Sequence, residues 1–350
     1  MKQVLLFLMT MSCSMALFAE WSWARSIGFG GMERIWDMAS DTDDNIFIVG
    51  EFTDSLALDD CMLFGSRLTD SFVLKMNSGG EALWGACLSS TEEDVCLGVG
   101  TDAQGNAYVC GYFIGTLHCQ GTQVVSDGLW DAYVAKFNSS GQLQWLNSFG
   151  GILNDIAYGV DVNSSGLVSV TGWFADQIVF DNNHILTSAG GSDIFAMAYD
   201  SAGGLLWAQR AGTTGVDYAY KAANDEIGNT YITGSAGVGA EFGSYILDSS
   251  GMYIAKYNPQ GQIQWINSSN NAAVIGIEAQ AGTTAGQRGL VSGRLPGAGS
   301  IGDFSFETNN LSNDAYWAEF DLENGQWMHL EYFGGPGADK SRDASFINYP

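Results

Sequence analysis

The segment 98–113, GVGTDAQGNAYVCGYF, followed after a variable stretch by 131–151, DAYVAKFNSSGQLQWLNSFGG, decides how the whole chain is read. Both halves return. The first recurs as GVDVNSSGLVSVTGWF at 159–174 and more loosely as MASDTDDNIFIVGEF at 38–52 and KAANDEIGNTYITGSA at 221–236. The second recurs as DSFVLKMNSGGEALW (70–84), DIFAMAYDSAGGLLW (193–207), GMYIAKYNPQGQIQW (251–265) and DAYWAEFDLENGQW (314–327). Trp23, Trp84, Trp145, Trp207, Trp265 and Trp327 are spaced 61, 61, 62, 58 and 62 residues apart, and Gly50, Gly111, Gly172, Gly234 and Gly293 step by 61, 61, 62 and 59. Two independent landmarks with one period mark an internal repeat.

Within a unit, short runs of Val, Ile, Tyr, Phe and Trp are punctuated by Gly, Asn, Asp and Ser, the pattern of strands joined by turns. The second unit predicts strands near Leu97–Thr101, Ala107–Phe113, Asp131–Asn138 and Gln142–Phe149. Both faces of these strands are apolar, so the sheet has to be covered on both sides. Four-stranded sheets recurring at a fixed period and covering one another make a β-propeller. The expected fold is all-β, with five complete repeats of about 61 residues (33–90, 91–151, 152–213, 214–270 and 271–335) and a partial closing blade with one strand in 336–350. An N-terminal outer strand near Trp23 would share that blade, so either the chain is a truncated propeller of six or more blades, which is the favoured reading, or five blades close with two surplus strands.

The GNAYVCGYF and DAYVAKFNSSGQLQW segments resemble the SBBP-type bacterial β-propeller repeat, which runs G-N-x-Y-V-T-G, then D-A-F-V-A-K-x-N, then G-x-L-x-W. The resemblance covers about residues 23–335 and is poorest in the fifth unit, where QAGTTAGQRGLVSGRL lacks the usual hairpin and Gly276 takes the place of the leading acid. It implies a secreted or cell-surface bacterial protein with no established catalysis. Ala135, Ser140, Gly141 and Trp145 also resemble the docking motif of quinoprotein propellers, with Phe137 at the position of its acid.

Thirteen basic against 39 acidic residues give a net charge of −26, a surface that repels phosphate backbones and anionic lipid. Nucleic acid is therefore not an expected partner. Residues 1–19, MKQVLLFLMTMSCSMALFA, have the order of an export signal, cleaved after Ala19, and no later segment has the length of a transmembrane span. Five cysteines follow it, Cys61, Cys87, Cys96, Cys110 and Cys119. The pairs Cys110/Cys119 and Cys87/Cys96 are close enough along the chain to bridge a hairpin, and a buried free thiol is the other reading.

One acid precedes the first strand of most units: Glu33, Asp94, Asp155 and Asp217, with Asp339 a weaker match. In a propeller these strands are innermost, so the five carboxylates form the candidate ligand site at a channel mouth; the structural reading is that each accepts hydrogen bonds from amides of its own turn. Asp41, Asp43 and Asn45 carry the oxygen spacing of a calcium loop without its Gly or terminal Glu. The aligned positions Asp41, Asp102, Asn163, Asp225 and Thr284 favour a turn-capping role instead. The tryptophans are expected to fill the seams between units. His118, His184 and His329 stand at three different repeat positions, so no triad or two-His metal site is expected. Apart from calcium no cofactor is expected. The function expected is a non-catalytic binding or scaffold module recognising a glycan or a protein through loops such as 114–130 and 175–192; the alternative is a propeller enzyme, a quinoprotein dehydrogenase or a polysaccharide lyase.

Overall fold

The computed structural model describes residues 23–28, 31–66, 68–181, 184–270, 272–280, 287–308, 313–335 and 339. The expected export signal, and all of the expected strand in 336–350 except Asp339, lie outside these residues.

The described chain is all-β. Five units each form an antiparallel sheet whose strands lie in chain order. The first comprises Glu33–Ser40, Ile46–Phe52, Asp70–Met76 and Ala82–Ser90, and the second Asp94–Thr101, Ala107–Phe113, Asp131–Phe137 and Leu143–Phe149. The third comprises Asp155–Val162, Val168–Asp181, His184–Tyr199 and Leu205–Gly212. The fourth holds Tyr218–Asn224, Thr230–Ala236, Gly251–Tyr257 and Ile263–Asn270, the fifth Ala273–Gln280, Arg288–Pro296, Asn313–Asp321 and Trp327–Phe333. The first strands of successive units lie side by side, so the sheets stack face to face and bury apolar side chains between them. This repeated architecture fits a β-propeller.

Each landmark residue has a physical cause. Every first strand carries a bulge at one repeat position, between Ile35 and Asp37, Cys96 and Gly98, Ala157 and Gly159, Ala219 and Lys221, and Val274 and Gly276. The bulge drives a carbonyl against the landmark glycine opposite: a Cβ on Gly111 would lie 1.9 Å from the Val95 oxygen, and one on Gly50, Gly172 or Gly234 equally close to its own partner carbonyl. Only a residue without a side chain fits there.

The tryptophans answer to a second glycine, one unit further on. The Trp84 ring lies against Gly141 in the turn between third and fourth strands of the next unit, where a Cβ would be 2.6 Å from the indole and φ is +78°. Trp23 on Gly80, Trp145 on Gly203, Trp207 on Gly261 and Trp265 on Gly325 repeat the contact. In the first three seams the indole also donates Nε1–H to a turn carbonyl: Trp23 to Ser78 (2.8 Å), Trp84 to Ser139 (3.0 Å) and Trp145 to Ser201 (3.2 Å). Trp327 departs from the series and packs on Gly302 of its own unit.

Four differences from the sequence reading have clear reasons. The stretch between second and third strands is not irregular but a hairpin: Thr116–Cys119 with Thr122–Val125, Glu241–Phe242 with Tyr245–Ile246, and Ala298–Ile301 with Phe304–Glu307 each join the outer strand of the preceding unit. The equivalent hairpin of the first unit, Ser55–Leu58 with Cys61–Phe64, is a separate two-stranded sheet. The fifth unit does have its second strand; its first turn is longer, so register sets Gly276 beside Ser292 as Gly98 is set beside Cys110, and Ala272, not Gly276, stands where the leading acid belongs. For the same reason Gln280 replaces Thr284 in the capping series, and Thr284 itself lies outside the described residues. Residues 23–28 form no strand, although Trp23 holds its seam position.

Candidate functional site

The acids at the head of the first strands are turned inward. Asp94 is fully buried and accepts the amides of Ser90 (2.6 Å) and Ser71 (2.7 Å). Asp155, also fully buried, accepts those of Gly151 (2.8 Å) and Ala175 (3.2 Å). Asp217 takes Thr213 (2.6 Å) and Gly237 (2.7 Å), and Asp339 takes Gly335 (2.8 Å). Burial pushes the carboxyl of Asp94 up to about 7 and that of Asp155 up to about 8, against the amide bonds that favour the charged form. Glu33 stands at the same position, its carboxyl beside Gly28.

A second acid series recurs in the repeats, at a position the sequence pattern alone does not mark as functional. Asp70 and Asp131 open their third strands and Asp193 holds the same repeat position within His184–Tyr199; each accepts the amide four residues before it, from Ser66 (2.5 Å), Asp127 (3.0 Å) and Ala189 (2.9 Å). Asp314 opens the third strand of the fifth unit, its carboxyl against Gly334. Asp193 also receives Arg210, whose Nη1 lies 2.5 Å from Oδ2. Burial raises Asp131 to about 6.

At the opposite ends of the first strands lies an open cavity of about 880 Å³ lined by units one to four. Asp37 reaches across it to the Lys221 ammonium (2.6 Å) and accepts the Val99 amide (3.1 Å). Asp161 accepts the Asn224 amide (2.6 Å), and burial lifts its carboxyl to about 6. Ser164 bonds to Glu226. The turn caps border the same cavity. Asp102 Oδ1 accepts the amides of Gln104 and Asn106, both at 3.0 Å, while Oδ2 takes the Tyr108 hydroxyl at 3.1 Å; Asp225 repeats all three contacts with Ile227, Asn229 and Tyr231.

In the calcium-spaced loop, Asp41 Oδ1 accepts the amides of Asp43 (3.0 Å) and Asn45 (2.9 Å), and Oδ2 pairs with Lys75 (3.0 Å). Burial works to raise the Asp41 carboxyl, but bonds from Asn45 and Lys75 outweigh it and hold it below the usual range. Among the described residues no group of three or more His, Cys, Asp or Glu is arranged to hold a metal ion.

The first-strand ends that carry the acid series present aromatic rings. Trp36, Tyr158 and Tyr220 share one first-strand position, Tyr112 and Trp173 one second-strand position, and all are half-buried. Their rings touch: Tyr112 lies 4.9 Å from Trp130, Tyr158 lies 5.8 Å from Tyr220, and Trp173 lies 5.6 Å from Tyr218. Arg34 stacks 5.1 Å over Trp36 and pairs with Glu51 (3.0 Å), while the Tyr112 hydroxyl donates to Glu93 (3.0 Å). Half-exposed Trp, Tyr and Arg are the residue types that dominate binding surfaces. The signal was in the sequence, as aromatics recurring fourteen residues before and one after the landmark glycines, but only the fold shows that they meet.

The five thiols are free, with Cys96, Cys110 and Cys119 buried; neither Cys110/Cys119 nor Cys87/Cys96 is bridged. Burial pushes Cys119 up to about 12 and Cys96 and Cys110 further in the same direction. The histidines stand apart, His118 and His184 in or beside insertion hairpins and His329 on an outer strand beside Glu331. No helix of the described residues is long and apolar enough to cross a membrane.

No family model matches the chain. It is similar to a curated protein named "Uncharacterized WD repeat-containing protein L264", from Acanthamoeba polyphaga mimivirus, with 25% identity over 334 aligned residues covering 73% of this chain and 24% of that protein. The chain thus spans about a quarter of the length of the relative it matches. Stacked sheets and a WD-repeat relative together support a β-propeller repeat protein.

Proposed function

We propose that this chain is an exported, non-catalytic β-propeller of SBBP type, of bacterial origin, that acts as a binding scaffold for other proteins at or outside the cell envelope. The observation that carries this reading is the half-buried aromatic collar around Trp36, Tyr158 and Tyr220, edged by Arg34, Glu51 and Glu93. Aromatic faces with a polar rim bind protein surfaces with large contact area at low entropic cost. The insertion hairpins differ from unit to unit and supply specificity beside it. Secretion rests on the order of residues 1–19, and the SBBP assignment on the repeated G-N-x-Y-V-x-G and D-A-x-V-A-K segments.

The test is selection of a displayed peptide library on immobilised residues 20–350, with a glycan array and a quinone-dependent oxidation assay alongside. Peptides retained by the wild type and weakened about tenfold or more by Tyr220→Ala and Trp130→Ala are expected. Peptides retained regardless of both substitutions, glycans retained in place of peptides, or quinone-dependent turnover would each overturn it.

A further inference from the structure

One corner of the aromatic collar is built from residues that do not follow the repeat. Where the first unit has Glu51 the next three have Tyr112, Trp173 and Ser235, and where it has Arg34 they have Val95, Ile156 and Tyr218. Glu93, just before the acid that heads the first strand of its unit, has Asn154 and Val216 as counterparts. Trp130, whose carbonyl takes the Asp155 amide, answers to Thr69 and Ser192. A residue that serves the frame recurs with the frame, as the seam tryptophans do. These four do not recur, yet they gather between the first and second units. Trp36, Tyr112 and Trp130 pack against one small apolar cluster of Val95, Leu97 and Ile156. Burial pushes the Glu51 carboxyl up, Arg34 offsets part of this, and the charge of nearby Glu93 adds to it.

Half of this corner already holds a guanidinium. Arg34 stacks 5.1 Å over Trp36 and pairs with Glu51 at 3.0 Å, so one cation has a ring on one side and a carboxylate on another. The other half offers the same two elements: Tyr112 and Trp130, 4.9 Å apart, and the half-buried Glu93 carboxylate, which accepts the Tyr112 hydroxyl at 3.0 Å. Among the described residues no basic side chain pairs with Glu93. Two carboxylates and one guanidinium leave the corner with negative charge in excess, on a chain whose net charge of −26 draws cations towards it. A guanidinium suits such a place better than an ammonium, because its plane stacks on a ring while its N–H groups reach a carboxylate.

We infer that the corner formed by Tyr112, Trp130 and Glu93 is a binding site for an arginine side chain carried by a partner protein. The guanidinium uses the rings and the Glu93 carboxylate as Arg34 uses Trp36 and Glu51. The inference rests on the scaffold reading above and names the side chain by which the partner is recognised.

The probes are terminally blocked hexa-arginine, hexa-lysine and hexa-citrulline, with cellohexaose as a neutral glycan, titrated calorimetrically into residues 20–350 at physiological ionic strength. Hexa-arginine is expected to bind, hexa-lysine to bind more weakly, and hexa-citrulline, planar but uncharged, and cellohexaose not to bind. Trp130→Leu and Glu93→Gln are each expected to weaken hexa-arginine about tenfold or more, while Glu92→Gln, which removes the exposed acid next along the chain, leaves it unchanged. Glu93→Gln keeps an acceptor for the Tyr112 hydroxyl and Trp130 is only half-buried, so both variants are expected to fold, with the melting temperature as the check. Absence of hexa-arginine binding overturns the proposal. So does binding that all three substitutions leave alike, which would mean diffuse attraction to an acidic surface, or hexa-lysine bound as tightly as hexa-arginine. Cellohexaose bound through Trp130 in place of the peptides would assign the corner to a glycan and overturn it as well. The scaffold reading has its own readout: displayed peptides without arginine, retained by the wild type and weakened by Tyr220→Ala, would leave it standing beside a failed arginine site.

Discussion

The Lys221 ammonium lies 2.6 Å from the Asp37 carboxylate although 183 residues and two whole sheets separate them along the chain. Both stand at the bulge position of a first strand, where the second and third units have Gly98 and Gly159. Glycines at the two intervening positions keep the middle open, and the first and fourth units meet across it. The row of sheets is therefore bent about an axis. The pair is mostly shielded from water, so Lys221→Met leaves Asp37 with the Val99 amide alone and should cost ~1–3 kcal/mol in urea denaturation. The double variant Asp37→Asn with Lys221→Met should recover part of that loss. Equal stability of the single variant and the wild type would remove the pair from any account of the curvature.

Replacing Gly141 by alanine combines a left-handed backbone with a Cβ 2.6 Å from the Trp84 ring. Gly121→Ala is the internal control, with φ at +87° but nothing within 4 Å. The control should lose ~1 kcal/mol from backbone strain and Gly141→Ala at least twice that, with a red shift of tryptophan emission as the indole leaves its seam.

Asp94 and Asp155 have folded-state values raised by burial to about 7 and about 8 from an ordinary value of 3.8. A raised acid favours the protonated folded state, so its contribution is complete below about pH 4 and is lost as pH climbs through 7 to 8. The melting temperature should fall between pH 5 and pH 8.5. Asp155→Asn, which keeps an oxygen acceptor without a titrating group, should flatten that fall; an unchanged profile in this variant would assign the pH response elsewhere.

In buffer without reductant, denatured protein should react with five equivalents of Ellman's reagent after signal removal, because all five thiols are free. In the native state Cys96, Cys110 and Cys119 should stay silent, since burial raises their thiols far above neutral pH. Fewer than five equivalents on denaturation would mean a bridge.

The frame was legible because its rules act locally. Period, strand positions and seam tryptophans follow from residues that recur, and each has one steric or hydrogen-bonding duty, as Gly111 under the Val95 carbonyl does. What escaped depended on contacts between units. Asp37 and Lys221 are opposite charges at one repeat position, yet nothing in the sequence states that units one and four touch. Trp130 lies in a variable stretch and joins Tyr112 only once the hairpin folds. The fifth unit misaligned because a longer first turn shifts every residue before Gly293, and register, not spacing, identifies Ala272 as the counterpart of Asp94. The insertion hairpins were invisible because their pairing partners belong to the preceding sheet.

The offset between an indole and the glycine it rests on also sets where this polypeptide can be divided. A fragment cut cleanly from one repeat boundary to the next, such as 91–151, carries Gly141 without Trp84 and Trp145 without Gly203, so it has a bare socket at one side and a bare plug at the other. The smallest piece with one complete joint starts before Trp84 and ends after Phe149, overlapping two repeats. Gene segments duplicated or lost in whole 61-residue steps preserve every joint wherever the cut falls, which gives such a chain a simple way to lengthen or shorten while each surviving neighbour keeps its fit.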